Sequence, residues 1–194
     1  MKLFPIHRMK SHRTRAANRT VTRPGPNTGF TLVELMVTIT VAAIISSIAI
    51  PSFRTFLQND RQWTQASSLV ISLNAARSEA VKQDVAGGIS VCPTTNGVTC
   101  GGTAWAQGWI VVSNAPNSTP IQTVAGLPPG TTLTEANGLA AVTYLSNGMT
   151  SASAAFTMCD ARGAAHARYT QVSAAGRVAS SMGKKLDGTA LRCP

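Results

Sequence analysis

An α+β fold is what this sequence predicts: one long N-terminal helix packed against an antiparallel β-sheet head. Three observations predict it. Residues 30–50 form an apolar run whose only charge is Glu34, and Pro51 follows. Past Pro51, apolar residues continue at helical spacing as far as Ala80. After Gly87-Gly88 the texture changes to short β-type runs separated by turn residues.

Residues 1–29 are basic, contain Pro and Thr, and show no apolar periodicity, so they read as a removable leader. An ordinary secretory signal is cut behind its apolar region. Here the small residue suited to a cut, Gly29, comes before that region. Cleavage there removes the leader and leaves the span attached. Residues 30–53 follow as a membrane-spanning helix. The stretch from Phe30 to Pro51, at ~1.5 Å per residue, covers roughly 33 Å, close to the hydrocarbon thickness of a bilayer. A core helix of a soluble domain is the competing reading. The length and the missing charges favour the span. Pro51 is expected to kink the helix rather than end it.

Residues 54–86 continue the helix in amphipathic form. Phe53, Phe56, Leu57 and Trp63 lead into Ala66, Leu69, Val70, Leu73, Ala76 and Ala80 at i, i+3, i+4, i+7 spacing. Arg54, Asp60, Arg61, Arg77, Glu79 and Lys82 fall mostly on other faces. One long helix is thus expected from about Phe30 to Gln83, with Gly87-Gly88 stopping it. Residues 87–194 then form the β-rich head. Its expected strands are 89–92, 109–113, 121–124, 131–134, 141–145, 155–159 and 167–173, with a weaker one near 177–179. Asn96-Gly97, Pro128-Pro129-Gly130, Asn137-Gly138 and Asn147-Gly148 punctuate them.

The chain has 194 residues and a formal net charge of +10, unevenly spread. Seven basic residues and no acid precede Gly29; from Phe30 onward ten basic residues face seven acidic ones, a net +3. A basic segment before an apolar span holds that end in the cytoplasm. This topological reading outweighs nucleic-acid binding by the leader. The head then lies on the periplasmic side.

All four cysteines, Cys92, Cys100, Cys159 and Cys193, lie beyond the span. An even number in an oxidising compartment points to disulfides. Three pairings are open. The preferred one joins Cys92 to Cys100 around a Gly/Thr-rich loop and Cys159 to Cys193 across the C-terminal tail. Zinc is disfavoured, because there is no Cys-x-x-Cys and His166 is the only histidine after Gly29. No metal and no cofactor is expected. No catalytic residue is assigned: His166 has no nucleophile motif beside it and reads as a polar strand residue near Arg168. There is no P-loop and no Gly-x-Gly-x-x-Gly.

Gly29-Phe30-Thr31-Leu32-Val33-Glu34-Leu35 resembles the type IV prepilin cleavage motif. The resemblance implies a type IV pilin fold, with an inner-membrane prepilin peptidase cutting after Gly29 and methylating the new amino group of Phe30. The 29-residue leader is long for that family, and Met9 is an alternative start. The head resembles the FimT/FimU and GspH group of minor pilins and pseudopilins. The residues that carry this are 73–80 (Leu-Asn-Ala-Ala-Arg-Ser-Glu-Ala), Val91-Cys92-Pro93, Trp105, Gly108-Trp109-Ile110-Val111, Cys159-Asp160-Ala161-Arg162-Gly163 and Gly176-Arg177-Val178.

What the resemblance implies is structural. The chain would sit in the inner membrane with a periplasmic head, then join a pilus or pseudopilus beside other major and minor pilins. Glu34 would pair with the cationic α-amino group of a neighbouring subunit's Phe30 and set register between helices. A Glu34 that stays near the lipid headgroups, paired with its own N-terminus, is the plainer reading. A type IV pilus is preferred to the pseudopilus of type II secretion. Some FimT-type pilins bind DNA through a Gly-Arg-x-Arg motif. This chain has Gly176-Arg177-Val178-Ala179, with Ala179 in place of the second arginine. Arg162, Arg168, Arg177, Lys184 and Lys185 are the candidates for such a contact, which would be non-specific and salt-sensitive. The simpler reading is a solvated basic face.

Overall fold

The structure, a computed structural model, describes residues 29–194. The expected leader lies outside the described residues, apart from Gly29. The described chain divides between Ser46 and Ser47 into an N-terminal unit and a larger C-terminal one.

Helix α1 runs from Leu32 to Gln83. Pro51 lies inside it without ending it. Thr31 starts the helix: its hydroxyl accepts from the Glu34 N–H at 3.2 Å, and its carbonyl accepts from the Leu35 N–H at 3.1 Å. This is an N-cap of the usual Thr type. The helix ends at Gln83, as the sequence pattern predicts. Asp84 takes a left-handed φ of 47° directly after Gln83, so an aspartate occupies the position where a glycine is commonest. The two glycines form the following turn.

Eight strands build the head: β1 (Ile89–Pro93), β2 (Gly108–Ser113), β3 (Pro120–Ala125), β4 (Thr132–Glu135), β5 (Val142–Tyr144), β6 (Ala154–Cys159), β7 (Arg168–Val172) and β8 (Val178–Met182). They form two four-stranded antiparallel sheets, ordered β3-β2-β1-β5 and β4-β6-β7-β8. Their positions agree with the sequence pattern to within a few residues. The division into two sheets is a finding, because periodicity locates strands but does not pair them. His166 does not lie on a strand; it ends a short 3-10 turn, Ala164–His166, ahead of β7.

The core lies between α1 and both sheets. Ala66, Leu69, Leu73, Ala76 and Ala80 present one helical face and are all buried. Trp109, Tyr144 and Phe156 from the sheets, and Trp105 from a short 3-10 turn ahead of β2, meet that face and are fully buried. Small helix residues let these large rings approach closely. Trp105 meets Phe156 edge to face, with centroids 4.7 Å apart. The N–H groups of both buried tryptophans are satisfied: Trp105 donates to the Leu139 carbonyl at 3.1 Å and Trp109 to the Ser72 hydroxyl at 3.0 Å. Burial pushes the Tyr144 hydroxyl up to about 12, against the pull of Arg77.

Candidate functional site

The first candidate is the N-terminal stretch of α1. Its side chains are exposed throughout; Leu32 and Ile48 are each 71 % exposed. Its hydroxyls fold back on the helix. Thr38 donates to the Leu35 carbonyl at 2.8 Å and Thr40 to the Met36 carbonyl at 2.7 Å. This hides the polar groups inside an apolar surface. The helix is long and apolar enough to cross a membrane. Glu34 sits in the first turn, where the helix dipole favours an anion. Only its backbone joins the Thr31 cap. The carboxylate therefore stays free of the capping role.

The second half of α1 is clamped to the head at two points. At one, Arg162 donates to the Asp160 carboxylate through Nε at 2.9 Å and Nη2 at 2.7 Å, and to Asn59 Oδ1 through Nη1 at 2.6 Å. Its Nη2 also reaches Gln62 Oε1 at 3.4 Å. Burial works to raise the Asp160 carboxyl. The Arg162 hydrogen bonds outweigh it together, and the net shift is downward. At the other point, Arg77 donates from Nε to the Gly148 carbonyl at 3.0 Å and from Nη2 to the Ala175 carbonyl at 3.2 Å. Gly176 passes so close to the Gly148 carbonyl that any Cβ there would collide with it, and its φ is 74°. Only glycine fits both demands.

Two disulfides close the head. Cys92–Cys100 has its Cα atoms 5.4 Å apart, and Cys159–Cys193 5.8 Å. These are the two preferred pairs. Inside the first loop, Asn96 Oδ1 accepts from the Val98 and Thr99 N–H groups, both at 2.9 Å. The second bond ties the tail to β6, next to the Arg162 clamp.

The five basic candidates do not form one patch of free charge. Arg162 is committed to its clamp. Arg168 is half-buried, and its Nε is buried without a partner among the described residues. Arg177, Lys184 and Lys185 are exposed. Lys184 and Lys185 lie on a small C-terminal hairpin, where the Lys185 N–H donates to the Thr189 carbonyl at 2.8 Å. Asp187 in that hairpin is held below the usual carboxylate range, chiefly by the Thr189 hydroxyl. Sequence reasoning missed the Arg162 clamp. The signal was the pair Asn59 and Gln62, polar residues one turn apart on the face that later becomes core. No group of three metal-ligating residues occurs among the described residues.

Comparison with known proteins places these features together. The profile of the family described as Type II transport protein GspH matches residues 65–176, and that of the prokaryotic N-terminal methylation motif matches residues 26–50. No curated protein matches the chain. The chain is similar to two crystal structures of the type IV minor pilin FimU of Pseudomonas aeruginosa, each at 25% identity. In one crystal form the match covers 61% of this chain and 91% of FimU with a TM-score of 0.50; in the other, 65% and 92% with 0.52. Such proteins are structural and non-enzymatic. With a GspH match over more than half its length, a methylation motif at its apolar helix and a pilin-type α+β head, the chain belongs to the GspH family of type IV pilin-like proteins.

Proposed function

We propose that this chain is a minor pilin of a type IV pilus. Prepilin peptidase cuts the precursor between Gly29 and Phe30 and methylates the Phe30 amino group. The 30–53 segment holds the chain in the inner membrane, with the head on the periplasmic side. The helix then leaves the lipid for contacts with neighbouring pilin helices, and the subunit primes assembly or sits at the tip.

One observation carries this reading. The start of α1 is apolar on every side and unburied, yet it keeps a single carboxylate that the helix cap does not use. An uncompensated charge in such a surface costs several kcal/mol. Cleavage after Gly29 creates the partner, a cationic α-amino group. A neighbouring subunit's Glu34 then pairs with it and fixes register. The GspH match favours a second reading, a minor pseudopilin of type II secretion. The similarity to FimU favours the pilus. DNA capture by the head would rest on Arg177, Lys184 and Lys185.

The test is made in cells that carry the assembly. Gly29→Ala blocks processing, seen as the full-length precursor on a gel. Glu34→Ala is processed but stays in the membrane. Normal incorporation of Glu34→Ala would refute the register role, and normal cutting of Gly29→Ala would refute the processing reading.

A further inference from the structure

Four strands lie at sheet edges, and three of them are guarded. β3 opens on Pro120, and its pairing with β2 shifts register between Val111 and Val112. β5 is three residues long. β4 is four residues long and ends on Glu135, whose carboxylate accepts from the Asn137, Leu139 and Ala155 N–H groups. Short length, proline, irregular register and charge are the usual defences of an open edge. β8 has none of them. Its sequence is Val-Ala-Ser-Ser-Met, and its register with β7 is unbroken over five pairs.

The outward-facing groups of β8 follow from that register. The Ser173 N–H donates to the Arg177 carbonyl at 3.0 Å, and the Gly183 N–H to the Ala167 carbonyl at 2.9 Å. Antiparallel partners alternate between exchanging and not exchanging hydrogen bonds. Counting in from both ends, Val178, Ser180 and Met182 turn their backbone N–H and C=O away from β7. No other strand pairs with them there.

Beside this edge is a groove of about 340 Å³, lined by Trp63, Val70 and Ile71 of α1 together with Arg168 and Ser180. Trp63 is 58 % and Ile71 60 % exposed. Arg168 closes one wall, and no hydrogen bond or ion pair engages its side chain among the described residues. An apolar groove, an open strand edge and a half-buried unpaired cation occur at one place.

We propose that the β8 edge and the Trp63–Ile71 groove dock an extended strand of a different pilin or pseudopilin subunit, apolar on its groove side and carrying a carboxylate opposite Arg168. This rests on the assembly reading above and names a contact of the head that the helix does not make. Backbone pairing along β8 supplies affinity, and the groove and Arg168 supply specificity. Charge selects against a second copy of this chain. Arg168, Arg177, Lys184 and Lys185 flank β8 and its turns, four cations against the one nearby carboxylate of Asp187. Two copies joined at β8 would set these cations against each other.

The experiment uses the full chain in membranes that carry its assembly, with Ser67 in the groove replaced by a benzophenone-bearing residue. Irradiation is expected to give an adduct that maps by peptide mass spectrometry to an acid-containing segment of another subunit. Met182→Pro removes an outward N–H without touching the β7 ladder, and Arg168→Glu reverses the wall charge. Each is expected to lower the adduct yield by about tenfold or more while both head disulfides remain intact. Replacing the mapped carboxylate by lysine is expected to restore the adduct of Arg168→Glu. A yield unchanged by both variants, or an adduct to DNA or to a second copy of this chain, would overturn the proposal. So would the absence of an adduct in a chain that is processed and incorporated normally, and that result would leave the assembly reading standing. Failure of the assembly reading shows separately, as an unmodified chain that is never recovered with the assembly.

Discussion

Trp109 donates its indole N–H to the hydroxyl of Ser72, 3.0 Å away, and both residues are fully buried. This bond joins β2 to the helix inside the core, where no water can replace either partner. Ser72 in turn donates to the Ser68 carbonyl at 2.9 Å. Ser72→Ala therefore leaves a buried N–H without an acceptor. The expected loss is about 1–3 kcal/mol, and Ser72→Thr should lose less. Thermal unfolding of the purified protein in detergent checks both.

Arg77 holds two carbonyls on separate loops with a planar fork. A lysine has no such fork and reaches one of them at most. Arg77→Lys is expected to destabilise the head by about 1–3 kcal/mol, close to the loss for Arg77→Ala. A lysine variant as stable as the wild type would show that the two contacts are not held together.

The Asp160–Arg162 pair makes the head sensitive to acid. The Asp160 carboxyl is depressed in the folded state. Its stabilisation is thus present above the unfolded value of about 3.9 and is lost as the pH falls through the lower folded value. Asp160→Asn should lower the melting temperature at pH 7. It should also flatten the change in melting temperature between pH 7 and pH 3. An equal pH response in both proteins would count against the pair.

The two disulfides should differ in worth. They join residues 8 and 34 positions apart. By the chain-entropy relation the shorter loop contributes about 2.6 kcal/mol and the longer about 3.8 kcal/mol. The Cys159→Ser/Cys193→Ser double variant should therefore melt lower than Cys92→Ser/Cys100→Ser.

Thr31 and Glu34 separate local from intermolecular effects. Thr31→Ala removes the cap hydroxyl and costs the helix about 1 kcal/mol. Glu34→Gln keeps the backbone N–H that Thr31 accepts from and removes only the charge. Thr31→Ala should assemble and Glu34→Gln should not, as read by the amount of each in sheared filaments. Normal assembly of Glu34→Gln would remove the register role from the Glu34 charge.

Much of this molecule was legible in its sequence because its strongest signals are local. A run with one charge, a 3.6-residue period and turn dipeptides needs no tertiary knowledge. Ala66, Leu69, Leu73, Ala76 and Ala80 were readable as one face, and all are buried. The helix end at Gln83 was readable too, although the residue that turns the chain there is Asp84 and not a glycine. His166 was misplaced because a 3-10 turn leaves no periodic trace. The Arg162 clamp joins positions about a hundred residues apart, and no spacing rule connects them. The open edge of β8 was equally hidden, since an edge is a property of pairing and not of composition.

The two arginine clamps grip the helix 15 residues apart, at Gln62 and Arg77. That separation is about 22 Å along its axis. Between them lies the packed face of small residues against tryptophan and phenylalanine. A tensile load drawn along the helix would strain both clamps and the packed face together, in shear. Nothing along this stretch can be peeled away one contact at a time. The resistance of the head to being pulled from its helix is therefore set by the sum of these contacts and not by the weakest of them.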